Sequence, residues 1–387
     1  VVQATVVMLP FFDPETQRFF VISLDVDFTN ETSAVEIGIS DDADPTGNWT
    51  RYKFSNDFAD SWGDYPSLAV NDDLVAITYN HFGWQGGAQG TIQVFNKDSL
   101  INGNPTSGLI GTGQFTLQMA KNFSVGGPLV GFGLRSTNGA RLIAVTGPAN
   151  APVLVQRDMA IPLFNPQNAG ATMLNAAIDT IGDRMMDTSF IDGSLVYAFT
   201  ANEGPAAGRS HVRWGEINLG SWPASGLPSL TQAGRFVAEG EDDSILMPAI
   251  AKNSEGSISV VATRTGPTLA PEFVIASRND LDPAGELGPV TVLGTSGNFS
   301  SVNFGGTSRW GDYAGIGIDP LDNATFWGCH EIFQNGNGSW GTEIATWTVL
   351  PSSIVSTGGP TGVVPIFGTN IAGTLAGLLN ANDSQSY

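Results

Sequence analysis

One pattern recurs along this chain and constrains it more than anything else: an apolar strand, a tight polar turn, and a second apolar strand. The clearest copies are Trp62-Gly63-Asp64-Tyr65-Pro66-Ser67-Leu68-Ala69-Val70 and Trp310-Gly311-Asp312-Tyr313-Ala314-Gly315-Ile316-Gly317-Ile318. Turns at Asn71-Asp72-Asp73 and Asp319-Pro320-Leu321-Asp322 follow, and then apolar runs over 74–79 and 325–333. Four weaker copies turn at Asp13-Pro14, Asn138-Gly139, Asp192-Gly193 and Glu255-Gly256. Asn-Gly, Asp-Gly and Asp-Pro supply the positive or preset φ that tight turns need.

With turns at 13, 71, 138, 192, 255 and 319, the steps are 58, 67, 54, 63 and 64 residues. A unit of that length holds four short strands, which is one propeller blade. A pair of β-sandwiches would not repeat the same first hairpin six times. The sequence therefore predicts an all-β chain: a six-bladed β-propeller of four-stranded antiparallel blades over 1–350, with innermost strands near 6–12, 66–70, 129–134, 185–190, 247–251 and 314–318. A C-terminal tail, 351–387, follows. Ring closure requires an outer strand from the chain start or from 351–367, because an open edge invites aggregation.

Composition agrees. Gly (48) and Pro (22) are abundant, and charged residues make up 14% against about 25% in an average chain. Acidic residues outnumber basic ones 37 to 16, so no basic stripe exists for nucleic acid or an anionic membrane. The single Cys329 excludes an intrachain disulfide and a thiolate cluster, and its strand-like setting predicts a buried small side chain. Val1 opens the chain without Met or a signal peptide, as expected of a processed form or a fragment. Sequons at Asn30, Asn48, Asn122, Asn298, Asn323, Asn337 and Asn382 are glycosylation candidates. Gly362 to Leu379 carries no charge but contains Pro365 and four glycines, which argues against a membrane span.

In a propeller, ligands bind where the innermost strands begin. That rule places Trp62, Asp64, Tyr65, Arg309, Trp310, Asp312 and Tyr313 at the mouth, ringed by longer loops with His81, Trp84, Glu203, Arg209, His211, Arg264, His330 and Glu331. Aromatic faces beside carboxylates suit a sugar ring. The competing reading makes the two Trp-Gly-Asp-Tyr segments structural, with Trp between blades and Asp holding a turn. Asp42, Asp44 and Thr46 before Gly47 match the first half of a calcium loop, yet Lys53 stands where a bidentate Glu belongs. Calcium is thus the one cofactor with a candidate loop, and none is required. Zinc, phosphate-loop, dinucleotide and serine-hydrolase motifs are absent.

The segment Arg309-Trp310-Gly311-Asp312-Tyr313 through Asp319-Pro320 to Thr325-Phe326-Trp327 resembles the closing blade of bacterial secreted sialidase-like (BNR-like) six-bladed propeller exoproteins. Asp13-Pro14 with Arg18-Phe19, and the Trp62 segment, fit the same pattern. The resemblance implies the fold and a secreted or cell-surface location. A sialidase would need three converging arginines, here Arg184, Arg264 and Arg309, with Tyr65 or Tyr313 as nucleophile and Glu203 or Glu331 as its base. The Arg-Ile-Pro signature is missing, and the nearest Asp-boxes, 40–49 and 335–340, are degenerate.

Three functional readings follow. The first is an extracellular binding or scaffold module for glycans or protein partners, without catalysis. The second is a structural subunit of a filament or surface array joined through the tail, whose Val363, Val364, Ile366, Phe367, Ile371, Leu375, Leu378 and Leu379 would form an apolar patch. The third is a sialidase-like exo-glycosidase.

Overall fold

The computed structural model describes residues 3–58, 60–166, 171–173, 176–202, 209–296, 303–304, 307–308, 310–333, 340–349 and 363–366. Their regular structure is nearly all strand, with one short helix, and all six predicted hairpins form. The first sheet is Gln3–Asp13, Arg18–Asp27, Thr32–Ser40 and Trp49–Ser55; the second is Ser61–Val70, Leu74–Gly83, Ala88–Asn96 and Ser107–Gly111. The fifth runs Ser244–Lys252, Ile258–Gly266, Leu269–Arg278, Thr291–Thr295. The sixth runs Gly315–Ile318, Phe326–Phe333, Trp340–Val349, Val363–Ile366. These are antiparallel meanders in chain order, the four-stranded sheets of which β-propeller blades are made.

The middle two sheets depart from the expected pattern. In the third, the hairpin Leu129–Ser136 and Gly139–Thr146 continues to Val153–Ala160, and the two-residue strand Gln118–Met119 lies beyond Leu129–Ser136. The fourth has five strands. Lys121–Asn122 pairs parallel with Asp187–Ile191, and Ser194–Asn202, Ser210–Asn218 and Ser229–Phe236 follow. The link between sheets thus adds an innermost strand to each, so 129–134 and 185–190 are not the innermost segments. A small separate sheet joins Ala171–Met173, Ala176–Ile178, Thr307–Ser308 and Asn303–Phe304.

The outermost strand of the sixth sheet, Val363–Ile366, comes from the tail and pairs antiparallel with Thr346–Val349. The rest of 350–387, including the expected short helix after Asn370, lies outside the described residues.

The chain divides into two compact units: 1–164 with 187–197 and 216–231, and 165–186 with 198–215 and 232–387. In the first unit, alternation along the second sheet builds two cores. Leu68, Val70, Val75, Ile77, Tyr79 and Phe95 pack with Phe20, Ile22, Leu24, Val35, Ile37 and Ile39 of the first sheet. Ala69, Ala76, Ile92 and Val94 pack with Leu117, Met119, Leu129, Ile143 and Val145 towards the third.

A β-bulge interrupts this alternation. Asp64 pairs with Asn80 but Ser67 with Thr78, so Tyr65 and Pro66 together face one residue, and Tyr65 takes φ 51°. An extra residue reverses which parity faces which neighbour. Before the bulge, Gly63 and His81 share the Tyr79 side, while Trp62, Asp64 and Phe82 share the Ala69 and Ala76 side. The same shift falls between Val6 and Leu9 and between Leu246 and Ala249, where Met247 has φ 53°.

Candidate functional site

In the first unit, the bulge brings Trp62 out of the strand core half-buried, with Phe82 opposite it in the ladder. Trp62 lies 5.1 Å from Phe82 between ring centroids, and Phe82 lies 5.6 Å from Phe115. On its other side Trp62 meets Phe28 edge-on at 5.2 Å, and Trp84 lies 5.9 Å from Phe28 and 6.3 Å from Trp62. Phe28 is 45% exposed and Phe115 36%. These separations are direct aromatic contact, so the five rings form one continuous row with no gap between them.

Each ring has a local reason for its place. Phe28 sits on the turn between the first sheet's second and third strands, where the Asp27 carboxylate accepts from the Thr29 and Asn30 amides and the Asn30 side chain. Those bonds, backbone Asn30 first, lower the Asp27 pKa. Trp84 is on the next sheet's matching turn, its amide bonded to the Asp60 carbonyl. Asp64 is two residues from Trp62 on the same face, and half-buried.

The other expected members of this group fall elsewhere. Tyr65 is buried in the bulge at 4% exposure, so it is not presented to solvent. His81 is fully buried on the opposite face, with Nδ1 3.0 Å from the Ser61 hydroxyl and its ring against Tyr79 and Phe58. Burial lowers its pKa to about 4, with Asp57 opposing, so it is neutral near pH 7. Gly63 explains its own place in the motif: a Cβ there would lie 2.6 Å from the buried Asn56 amide nitrogen.

In the second unit, the same four letters have another fate. Trp310 is buried, donates to Thr263 Oγ1 at 2.9 Å, and packs on Phe333 at 5.0 Å. It ties the sixth sheet's entry to the fifth sheet, the structural alternative for this motif. The Gly311 amide donates to Glu331 Oε2 at 2.5 Å. Glu331 is pushed above its usual pKa by burial, against the Gly311 bond and with the Asp312 charge adding to the rise. Asp312 and Tyr313 are half-buried beside it in sequence. His330 is buried, with Nε2 2.9 Å from the Met247 carbonyl and Nδ1 accepting from the Glu331 amide at 2.9 Å. Burial lowers its pKa to about 4, opposed by these two bonds.

The arginines are occupied by structure. Arg264 holds Glu272, its cross-strand partner, at 2.5 Å, and Arg209 donates to the carbonyls of Ala238, Gly240 and Asp243. Arg309 and Glu203 lie outside the described residues. So do Asn298, Asn337 and Asn382.

The candidate calcium loop is closed on itself. Asp42 Oδ1 accepts from the Asp44 amide, and Asp44 Oδ1 accepts from the Thr46 amide and hydroxyl, the hydroxyl bond first in lowering the Asp44 pKa. Among the described residues no group of three or more His, Cys, Asp or Glu is placed to hold a metal. Among the sequons, Asn30, Asn48 and Asn323 are exposed. Asn122 is a correction: it is 3% exposed, and the amide nitrogen a glycan would use donates to the Gly126 carbonyl. Cys329 is half-buried rather than buried, because strand alternation puts it on the face of the exposed Trp327. Among the described residues no helix is long and apolar enough to cross a membrane.

Sequence reasoning missed Phe28, Phe82 and Phe115, which come from three different segments and share no motif with Trp62. It also missed Lys97, buried at 1% exposure at the start of helix Lys97–Ile101, where it bonds Asp13 at 3.0 Å and Glu15 at 2.5 Å.

No family model matches the chain, and no curated protein matches it. Among solved structures, it is similar to Trypanosoma rangeli sialidase in complex with 2,3-difluorosialic acid, with TM-score 0.42 and 12% identity over 89% of this chain and 54% of that one. It therefore spans about half the length of that sialidase. Bacillus subtilis levansucrase in complex with oligosaccharides matches with TM-score 0.42 and 10% identity over 94% of this chain and 86% of its own. The GH43_1 enzyme from Xanthomonas citri complexed with xylotriose matches with TM-score 0.38 and 9% identity, covering 93% and 94%. Likenesses this distant carry no statement about what this chain binds.

Proposed function

We propose that this chain is an extracellular propeller module that binds glycans on the ring row of the first unit and performs no chemistry on them. One observation carries the reading: Phe28, Trp62, Phe82, Trp84 and Phe115 touch one another in an unbroken row, its ends open to solvent, with the Asp64 carboxylate beside Trp62. Ring faces stack on the C–H faces of pyranoses, and a carboxylate accepts from sugar hydroxyls. Monomeric proteins seldom expose such a patch without a use for it. Trp84 stands on a turn, outside the strands, so Trp84→Ala tests binding without removing core. It is expected to weaken retention on immobilised glycans about tenfold, roughly 1.4 kcal/mol. Unchanged retention would remove the row from the site.

A second reading, a sialidase-like glycosidase in the second unit, is favoured by the raised Glu331 carboxyl beside Asp312. Against it, Arg264 is already neutralised by Glu272. Turnover of fluorogenic glycosides that disappears in Glu331→Gln, with folding intact, would replace the first reading by this one.

A further inference from the structure

The row has a chemical polarity that narrows what it accepts. Its rings come from segments 27–31, 60–64, 80–85 and 112–116. Those segments carry Asp27, Glu31, Asp60 and Asp64, and neither Lys nor Arg. Glu31 and Asp60 are exposed, and Asp27 and Asp64 half-exposed. His81, the one other titratable group there, is buried on the opposite strand face and held neutral near pH 7. Of the cations on neighbouring strands, Lys53 is paired with Asp25 and sits near Glu36, and exposed Arg135 follows Leu134, whose carbonyl accepts from Gln114 at the Phe115 end. The whole chain adds to this field with its formal charge of −21.

Building on the glycan reading, we infer that the row selects uncharged oligosaccharides and rejects glycans bearing carboxylate or sulfate, sialic acids and uronic acids included. Length follows from geometry. Successive rings Phe115, Phe82, Trp62 and Phe28 are stepped by 5.6, 5.1 and 5.2 Å, so the row is several rings long and contacts more than one sugar. Selection arises from repulsion: an anionic sugar set on these rings meets the four carboxylates of their segments, which carry neither Lys nor Arg, whereas a neutral one uses them as hydroxyl acceptors. Repulsion between exposed charges is screened at about 8–10 Å in physiological salt, so selectivity weakens as salt rises.

The test is calorimetry and tryptophan fluorescence on the full chain with cellohexaose and chitohexaose against hexagalacturonate and a heparin-derived hexasaccharide. Neutral hexamers are expected to bind at least tenfold more tightly at low salt, and the ratio to shrink in 1 M NaCl. Trp84→Ala should lose neutral binding, and Asp60→Asn with Asp64→Asn should raise affinity for hexagalacturonate. Should the anionic hexamers bind equally or better, through a site that Trp84→Ala abolishes, charge selection is wrong and the glycan site survives. If no hexamer binds, or Trp84→Ala changes nothing, the glycan site itself falls.

Discussion

Lys97 is the residue whose environment contrasts most with its chemistry. It is buried, yet charged, and it links the first sheet's opening turn to the helix after the second sheet's third strand. The Asp13 carboxylate it meets also accepts from the Glu15 amide and the Thr16 hydroxyl, so the turn and the lysine hold each other in place. Deleting one partner of a buried pair strands the other, which costs more than the pair's net value. Lys97→Met is expected to destabilise by about 3 kcal/mol in urea unfolding, and adding Asp13→Asn should recover part of that loss. An unchanged midpoint in Lys97→Met would mean that Asp13 is hydrated without it.

At the scale of the element, the second sheet is shaped by where backbones approach. Gly90 accepts from the Thr112 amide through its carbonyl, and a Cβ at Gly90 would lie 1.8 Å from the Gln114 carbonyl oxygen. Gly111, in the fourth strand of the same sheet, has nothing within 4 Å of a Cβ. Both would enter a strand as Ala, yet only one meets backbone. Gly90→Ala is expected to cost about 3 kcal/mol in unfolding free energy, and Gly111→Ala under about 0.5 kcal/mol. Equal effects would show that the strand's own propensity decides, not the close approach. The same sheet shows how a bulge makes a binding surface: one extra residue at Tyr65 and Pro66 turns Trp62 to the face that Phe82 already occupies, where Phe115 lies.

For the whole molecule, acid is the informative perturbation. His81 and His330 are buried neutral, each with a pKa near 4 against 6.5 when unfolded. The unfolded chain therefore binds protons first as pH falls. Their stabilisation is complete above pH 6.5, declines towards pH 4, and changes no further below that. Glu331 acts in the opposite sense, because its raised pKa favours the folded chain where the carboxyl is protonated. Between pH 6.5 and 5, ordinary carboxylates remain ionised and the histidines dominate. Unfolding free energy is expected to fall there by up to about 1.4 kcal/mol per pH unit for each histidine. A flat urea midpoint across that window would mean that both histidines take up protons in the folded chain as readily as in the unfolded one.

Much of this was legible in the linear chain. All six hairpins lie where turn residues interrupt apolar runs, because a tight turn and a two-residue alternation are local properties that need no distant partner. What only the tertiary structure decided is which of two identical motifs meets solvent. Trp62-Gly63-Asp64-Tyr65 and Trp310-Gly311-Asp312-Tyr313 read alike, yet Trp62 joins an open row of rings and Trp310 is sealed against Thr263 and Phe333. Their surroundings come from residues tens of positions away, Phe28 and Phe115 in one case and Thr263 in the other. Burial is set by those neighbours, and the motif does not encode them.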